Sequence, residues 1–173
     1  MVIAKDSSKT FKPVPAGNHQ AVCYDVWDIK VQEVEYNNVK KYQHKIIVGW
    51  ELSKLNENGK RYRVSKKYTL SLSDKATLTK DLEGWTGKSL TKEDKLGIDV
   101  DTMITKNCIL NVIHKEYEGK EFAIISSVGP LIEGMVEIKA ETERSTPEWI
   151  EKLINKASYQ AMDEVPDVVE EDI

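Results

Sequence analysis

Long apolar runs are missing from this chain. Nowhere in its 173 residues is there anything near the roughly 18–20 apolar residues that a membrane span requires. The first fifteen residues hold no apolar core followed by small residues, so no secretory leader is expected. Cysteine is scarce: Cys23 and Cys108 each stand alone in an apolar, strand-like run, which excludes zinc-ribbon spacing. Two buried, reduced thiols in a cytosolic protein and a disulfide between them are both open readings. His19, His44 and His114 are far apart and show no ligand spacing, so they are expected as ordinary surface or core histidines. There is no Gly-rich phosphate loop, no Gly-x-Ser-x-Gly elbow, no kinase signature and no internal repeat. No cofactor and no metal are implied.

What the chain does have is sorted charge. It carries 25 Lys and Arg against 29 Asp and Glu, a net −4. Residues 36–68 hold nine bases (Lys40, Lys41, Lys45, Lys54, Lys60, Arg61, Arg63, Lys66, Lys67) against Glu51 and Glu57, a local +7. Residues 163–173 carry the six acids Asp163, Glu164, Asp167, Glu170, Glu171 and Asp172, no base, and then Ile173. A basic segment interleaved with aromatics is what a flexible polyanion needs. An acidic stretch on the same chain suggests a second contact, or a competitor for the first.

Periodicity predicts the architecture. After an irregular arm punctuated by Pro13, Pro15 and Gly17, a long strand runs over residues 19–35, with Ala21, Cys23, Trp27 and Ile29 on one face and Val22, Tyr24 and Val26 on the other. Strands follow at 40–53 and 60–70, joined through Asn56-Glu57-Asn58-Gly59. Ser73 is a candidate cap for a helix carrying Leu78, Leu82 and Trp85, which Gly84 and Gly87 end. Thr91 and Asp94 have capping-box spacing for a short second helix. Strands return at 107–116 and 121–128. The order strand, strand, strand, helix, strand, strand is that of the OB-fold, a mainly β, five-stranded barrel with a helical insert between strands 3 and 4. SH3-like barrels lack that insert, and an unrelated α+β sheet is the remaining alternative. The expected organisation is a barrel domain over 1–132, a linker with an amphipathic helix (about 147–158) over 133–162, and a disordered acidic tail over 163–173. The helix stripe of Ile150, Leu153, Ile154 and Ala157, flanked by Trp149, either docks on the barrel or binds a partner.

In an OB barrel, single strands lie across strands 2 and 3 and the adjoining loops, which here are the basic aromatic window. The candidate nucleic-acid-binding residues are Tyr36, Lys40, Lys41, Tyr42, Lys45, Lys60, Arg61, Arg63 and Lys67. Lys41 and Lys45 share a face of strand 2, as Arg61, Arg63 and Lys67 do of strand 3. Pointing outward, the two rows make a track for phosphates. Trp50, Tyr62 and Tyr68 alternate with aliphatics, so they read as core or as stacking platforms. The Lys/Arg run also reads as a merely solvated face. Residues 163–173 read as a solubilising tail or as a docking peptide. Glu137-Ile138-Lys139 has the Glu-x-Lys form of metal-dependent nucleases, with no Pro-Asp ahead of it.

The run YTLSLSDKATLTKDLEGWTG at residues 68–87, with HKIIVGWEL at 44–52 and CILNVIH at 108–114, resembles OB-fold single-stranded-DNA-binding proteins of tailed bacteriophages. The likeness covers roughly residues 15–134. It implies a non-enzymatic protein of the host-cell cytoplasm that protects single-stranded DNA in phage replication or recombination. Residues 163–173 resemble the acidic C-terminal peptides of bacterial single-stranded-DNA-binding proteins, with Ile173 and no terminal Phe. That likeness implies docking to replication or recombination proteins, or mimicry of DNA. A protein–protein adaptor and a metal-dependent nuclease are the alternative functions.

Overall fold

The computed structural model describes Ala4 and residues 13–157; the predicted acidic tail lies outside them. Five strands form one antiparallel sheet: β1 (Gly17–Tyr36), β2 (Val39–Leu55), β3 (Arg61–Thr69), β4 (Asn107–Tyr117) and β5 (Lys120–Gly129). Their order is β3-β2-β1-β4-β5. The helix α1 (Thr77–Thr86) separates β3 from β4, and α2 (Glu148–Asn155) follows β5. Among the described residues, no helix is long and apolar enough to cross a membrane.

Tight turns set the register. Asn37 and Asn38 have φ of 49° and 63°, and Glu118 and Gly119 have 49° and 76°. Both pairs meet the positive-φ demand of a two-residue hairpin turn. Tyr36 therefore pairs with Val39, and Tyr117 with Lys120.

The sheet curls around one core. Ala21, Cys23, Trp50, Tyr68, Leu110 and Val128, drawn from all five strands, meet Leu78, Leu82 and Trp85 of α1. The edge strands β3 and β5 are not paired to each other among the described residues; α1 packs against both. A Cβ at Gly84 would lie 2.3 Å from the Val128 carbonyl oxygen, so glycine lets the helix approach the β5 backbone. The result is a barrel-like fold. Asp81 of α1 is buried and takes hydrogen bonds from the Tyr68 hydroxyl (2.6 Å) and the Lys66 ammonium (2.7 Å), tying the helix to β3.

Several details depart from the sequence expectation. The predicted faces of the first strand are crossed by a β-bulge between Cys23 and Asp25. One extra residue inverts the alternation. Ala21 and Cys23 join the main core, whereas Trp27 and Ile29 join a second cluster on the opposite face with Ile47 and Ile150. Ser73 does not cap α1. The helix starts three residues later, after Ala76, because Ser73 is held in a turn in which its carbonyl accepts from the Ala76 N–H and the Thr79 hydroxyl. Thr91 and Asp94 do form a reciprocal capping box, but it holds a single 3₁₀ turn, Asp94–Leu96.

Both cysteines are free and buried. Loss of solvation pushes the Cys23 thiol up to about 12 and raises Cys108 as well, which leaves both protonated and unreactive at neutral pH.

Candidate nucleic-acid interface

Register places the two basic strands side by side. Lys45 lies opposite Thr69, Ile47 opposite Lys67, and Glu51 opposite Arg63. Cross-strand partners point to the same side, so the outward row of β3 and the odd positions of β2 share one face.

That face is not an open furrow. The segment predicted as a linker, residues 133–144, runs across it as a strap that side chains of the sheet grip by its backbone. Gln20 donates to the Val136 carbonyl, the Asn107 amide pairs with the Ile138 N–H and C=O, and Arg61 donates to the Lys139 carbonyl. The nearly inaccessible Glu51 (2% exposed) accepts from the N–H groups of Glu141 and Thr142 (2.8 and 3.0 Å) and from the Thr142 hydroxyl (2.5 Å). Asp25 accepts from the Ser145 N–H and the Arg144 guanidinium, and the Trp27 indole donates to the Ser145 carbonyl. An irregular segment packed on a sheet has no ladder for its polar groups, and these side chains supply the partners instead. The strap delivers α2, which buries Ile150 completely beside Trp27, Ile29 and Ile47. The amphipathic helix thus docks on the barrel.

The predicted site residues are sorted by this arrangement. Lys45 is a correction: it is 4% exposed and donates to the Thr69 hydroxyl at 2.5 Å, because its neighbours on that face are covered. Arg61 is a second correction. Its guanidinium binds Glu51 at 2.9 Å and lies 3.7 Å from Glu141, so it serves the strap. Lys60, Arg63 and Lys67 are exposed. In the distal β1–β2 hairpin, Tyr36 pairs with Val39 and Val34 with Lys41, while Glu35 pairs with Lys40 and Glu33 with Tyr42. Tyr36 and Lys41 therefore share one face, and Lys40 and Tyr42 the other. Tyr36 and Tyr42 are both exposed, and Lys40 is 3.3 Å from Glu33. Trp50 and Tyr68 belong to the core, and Tyr62 packs half-buried against it. The partners Glu164 to Ile173 and Asp163 fall outside the described residues.

Sequence reasoning missed the aromatics of the second face. Tyr24 and Trp27, with Trp149 of α2, line a groove of about 1150 Å³ together with Lys60, Arg63, Tyr62 and Pro147. Tyr24 meets Trp27 edge-on at 5.8 Å, and Trp27 meets Trp149 edge-on at 6.0 Å. Trp27 lies on Gly49, where a Cβ would come within 2.8 Å of its ring. Burial raises the Tyr24 phenol above its ordinary value, and Arg63 is the largest opposing influence. Glu57 and Glu141 stand on the same wall. The available signal was Gly49 in an otherwise bulky strand, a mark of close approach by another group.

The histidines do other work. His19 and His114 hydrogen-bond the Pro15 and Val14 carbonyls, fastening the N-terminal arm, and His44 binds Asp28 at 2.7 Å. Among the described residues, no group of three or more His, Cys, Asp or Glu is placed to hold a metal ion. No protein-family model matches the chain, and no curated protein matches it.

Proposed function

We propose that this chain is a non-enzymatic single-stranded-DNA-binding protein with an OB-type barrel. It covers exposed strands during phage replication or recombination in the host cytoplasm, with little sequence preference. The element order and the helix bridging the two edge strands support the barrel assignment. One observation carries the functional reading. Arg63 and Lys67 stand about 13 Å apart on the exposed face of edge strand β3, with no acidic partner among the described residues, beside an aromatic groove. That spacing suits two phosphates of an extended strand with one between them, and ring faces in the groove suit unstacked bases.

The test is a titration of labelled oligo-dT at several salt concentrations. Affinity falls steeply with salt in the wild type. The double substitution Arg63→Glu with Lys67→Glu weakens binding and, for two lost phosphate contacts, flattens the logarithmic salt slope by roughly 1.4. Arg61 stays out of this variant, since its removal strips Glu51 of its cation. Unaltered affinity and slope in the double variant remove the β3 row from consideration. A wild type without salt-dependent oligonucleotide binding belongs with protein–protein adaptors. Mg²⁺-dependent cutting that a chelator stops identifies a nuclease.

A further inference from the structure

We propose that Trp149, carried by the C-terminal helix, forms with Tyr24 a stacking subsite for an unpaired nucleobase, so that the strap completes the binding site. This rests on the reading of the chain as a single-strand binder, and it adds a site that the basic strands do not contain.

Trp27 is 6% exposed, and its indole N–H is committed to the Ser145 carbonyl at 2.7 Å, so it is a fixed anchor. Tyr24 and Trp149 meet this anchor with interplanar angles of 77° and 65°. A T-shaped contact leaves at least one face of each ring uncovered by the anchor. Trp149 is 48% exposed at the groove wall. Large aromatic side chains are normally buried or partnered, and a half-exposed Trp held beside a rigid anchor is suited to a planar ligand.

Charge selects the ligand. Arg63 shares the groove with Tyr24 and acts on its phenol electrostatically, and Lys67 continues the same row of β3. A phosphate at Arg63 places its attached base toward the rings. The remaining charges of the wall nearly balance: Arg61 answers Glu51, and Lys60 stands with Glu57 and Glu141. Stacking, not ion release, is therefore the main contribution of this subsite. The groove's volume of about 1150 Å³ exceeds the roughly 300–1,000 Å³ of small-molecule pockets, as a segment of chain requires.

The latch explains why the helix can serve. The four hydrogen bonds to the Glu51 carboxylate, from Arg61, Glu141 and Thr142, fix the strap close to the point where Trp149 enters. A stacking ring must be preorganised to contribute to affinity.

The experiment titrates the full chain with fluorescein-labelled oligo-dT, comparing wild type, Trp149→Ala and Trp149→Phe, with circular dichroism as the fold control. Trp149→Ala is expected to weaken binding about tenfold with the salt slope unchanged, since stacking releases no counterions. Trp149→Phe keeps most of the affinity but loses most of the intrinsic fluorescence quenching on binding, because Trp50 and Trp85 lie in the main core and the groove's other tryptophan, Trp27, is only 6% exposed. Wild-type affinity in Trp149→Ala, or undiminished quenching in Trp149→Phe, overturns the subsite while leaving the β3 reading intact. If Trp149→Ala fails to fold, the quenching of Trp149→Phe decides alone. Wild type that binds no oligo-dT removes the parent reading, and this inference with it.

Discussion

Single residues decide where the second layer can sit. Gly49 is the clearest case: Trp27 occupies the space where any side chain would project, with Tyr24 at 3.1 Å behind it. Gly49→Ala is expected to lower stability by about 1–3 kcal/mol, the usual range for overpacking. It should also red-shift tryptophan emission as Trp27 is forced off the strand. Thermal unfolding with emission spectra checks this, and an unchanged midpoint would show that the ring yields freely. Lys45 and Arg61 make the complementary point. Each is a base whose neighbours bury it, and burial of a charge is tolerated only with partners. Their roles are therefore structural, whereas Arg63 and Lys67 on the same face remain exposed.

At the scale of elements, the strap is held by hydrogen bonds to carboxylates. Burial alone would push the Glu51 carboxyl up, but the bonds from Thr142, Glu141 and Arg61 outweigh it, and its pKa lies below the ordinary 4.5. A carboxylate depressed in the folded state contributes stability that is complete above its unfolded pKa and is lost as pH falls through the folded one. The strap is thus expected to hold from neutral pH down to about 4.5 and to loosen progressively below it. Unfolding midpoints measured from pH 7 to pH 3 should drop in that acid window for wild type. Glu51→Gln should be less stable at pH 7 and show a shallower acid dependence. Parallel profiles for the two proteins would mean that another group controls the acid transition. Edge strand β3 has a second use for its bases, since Lys and Arg on an edge discourage pairing with other sheets.

Across the whole molecule, charge separation predicts competition. The local +7 of residues 36–68 and the six acids of 163–173 belong to one chain, and opposite charges attract at low ionic strength. Deleting residues 163–173 is expected to tighten oligo-dT binding severalfold at low salt and to leave it unchanged at high salt, where screening removes the contest. Equal affinities at both salts would separate the acidic stretch from the interface.

Much of the architecture was legible in the sequence. Alternating patterns located all five strands, and Leu78, Leu82 and Trp85 marked the inserted helix, because hydrophobic period is a local property that each segment carries by itself. The stripe of Ile150, Leu153 and Ile154 announced an amphipathic helix, but not which surface it would cover. The bulge at Cys23/Asp25 inverted the faces of β1 without altering composition, and so moved Trp27 and Ile29 out of the main core. The strap looked like a linker because its polar groups are satisfied by Glu51, Asp25, Asn107 and Arg61, residues 30 to 120 positions away. Sequence by itself determined the elements, their order and the location of the basic strands. Tertiary structure alone decided which bases stay in solvent and which aromatics share a groove, since both depend on contacts between segments that no local pattern encodes.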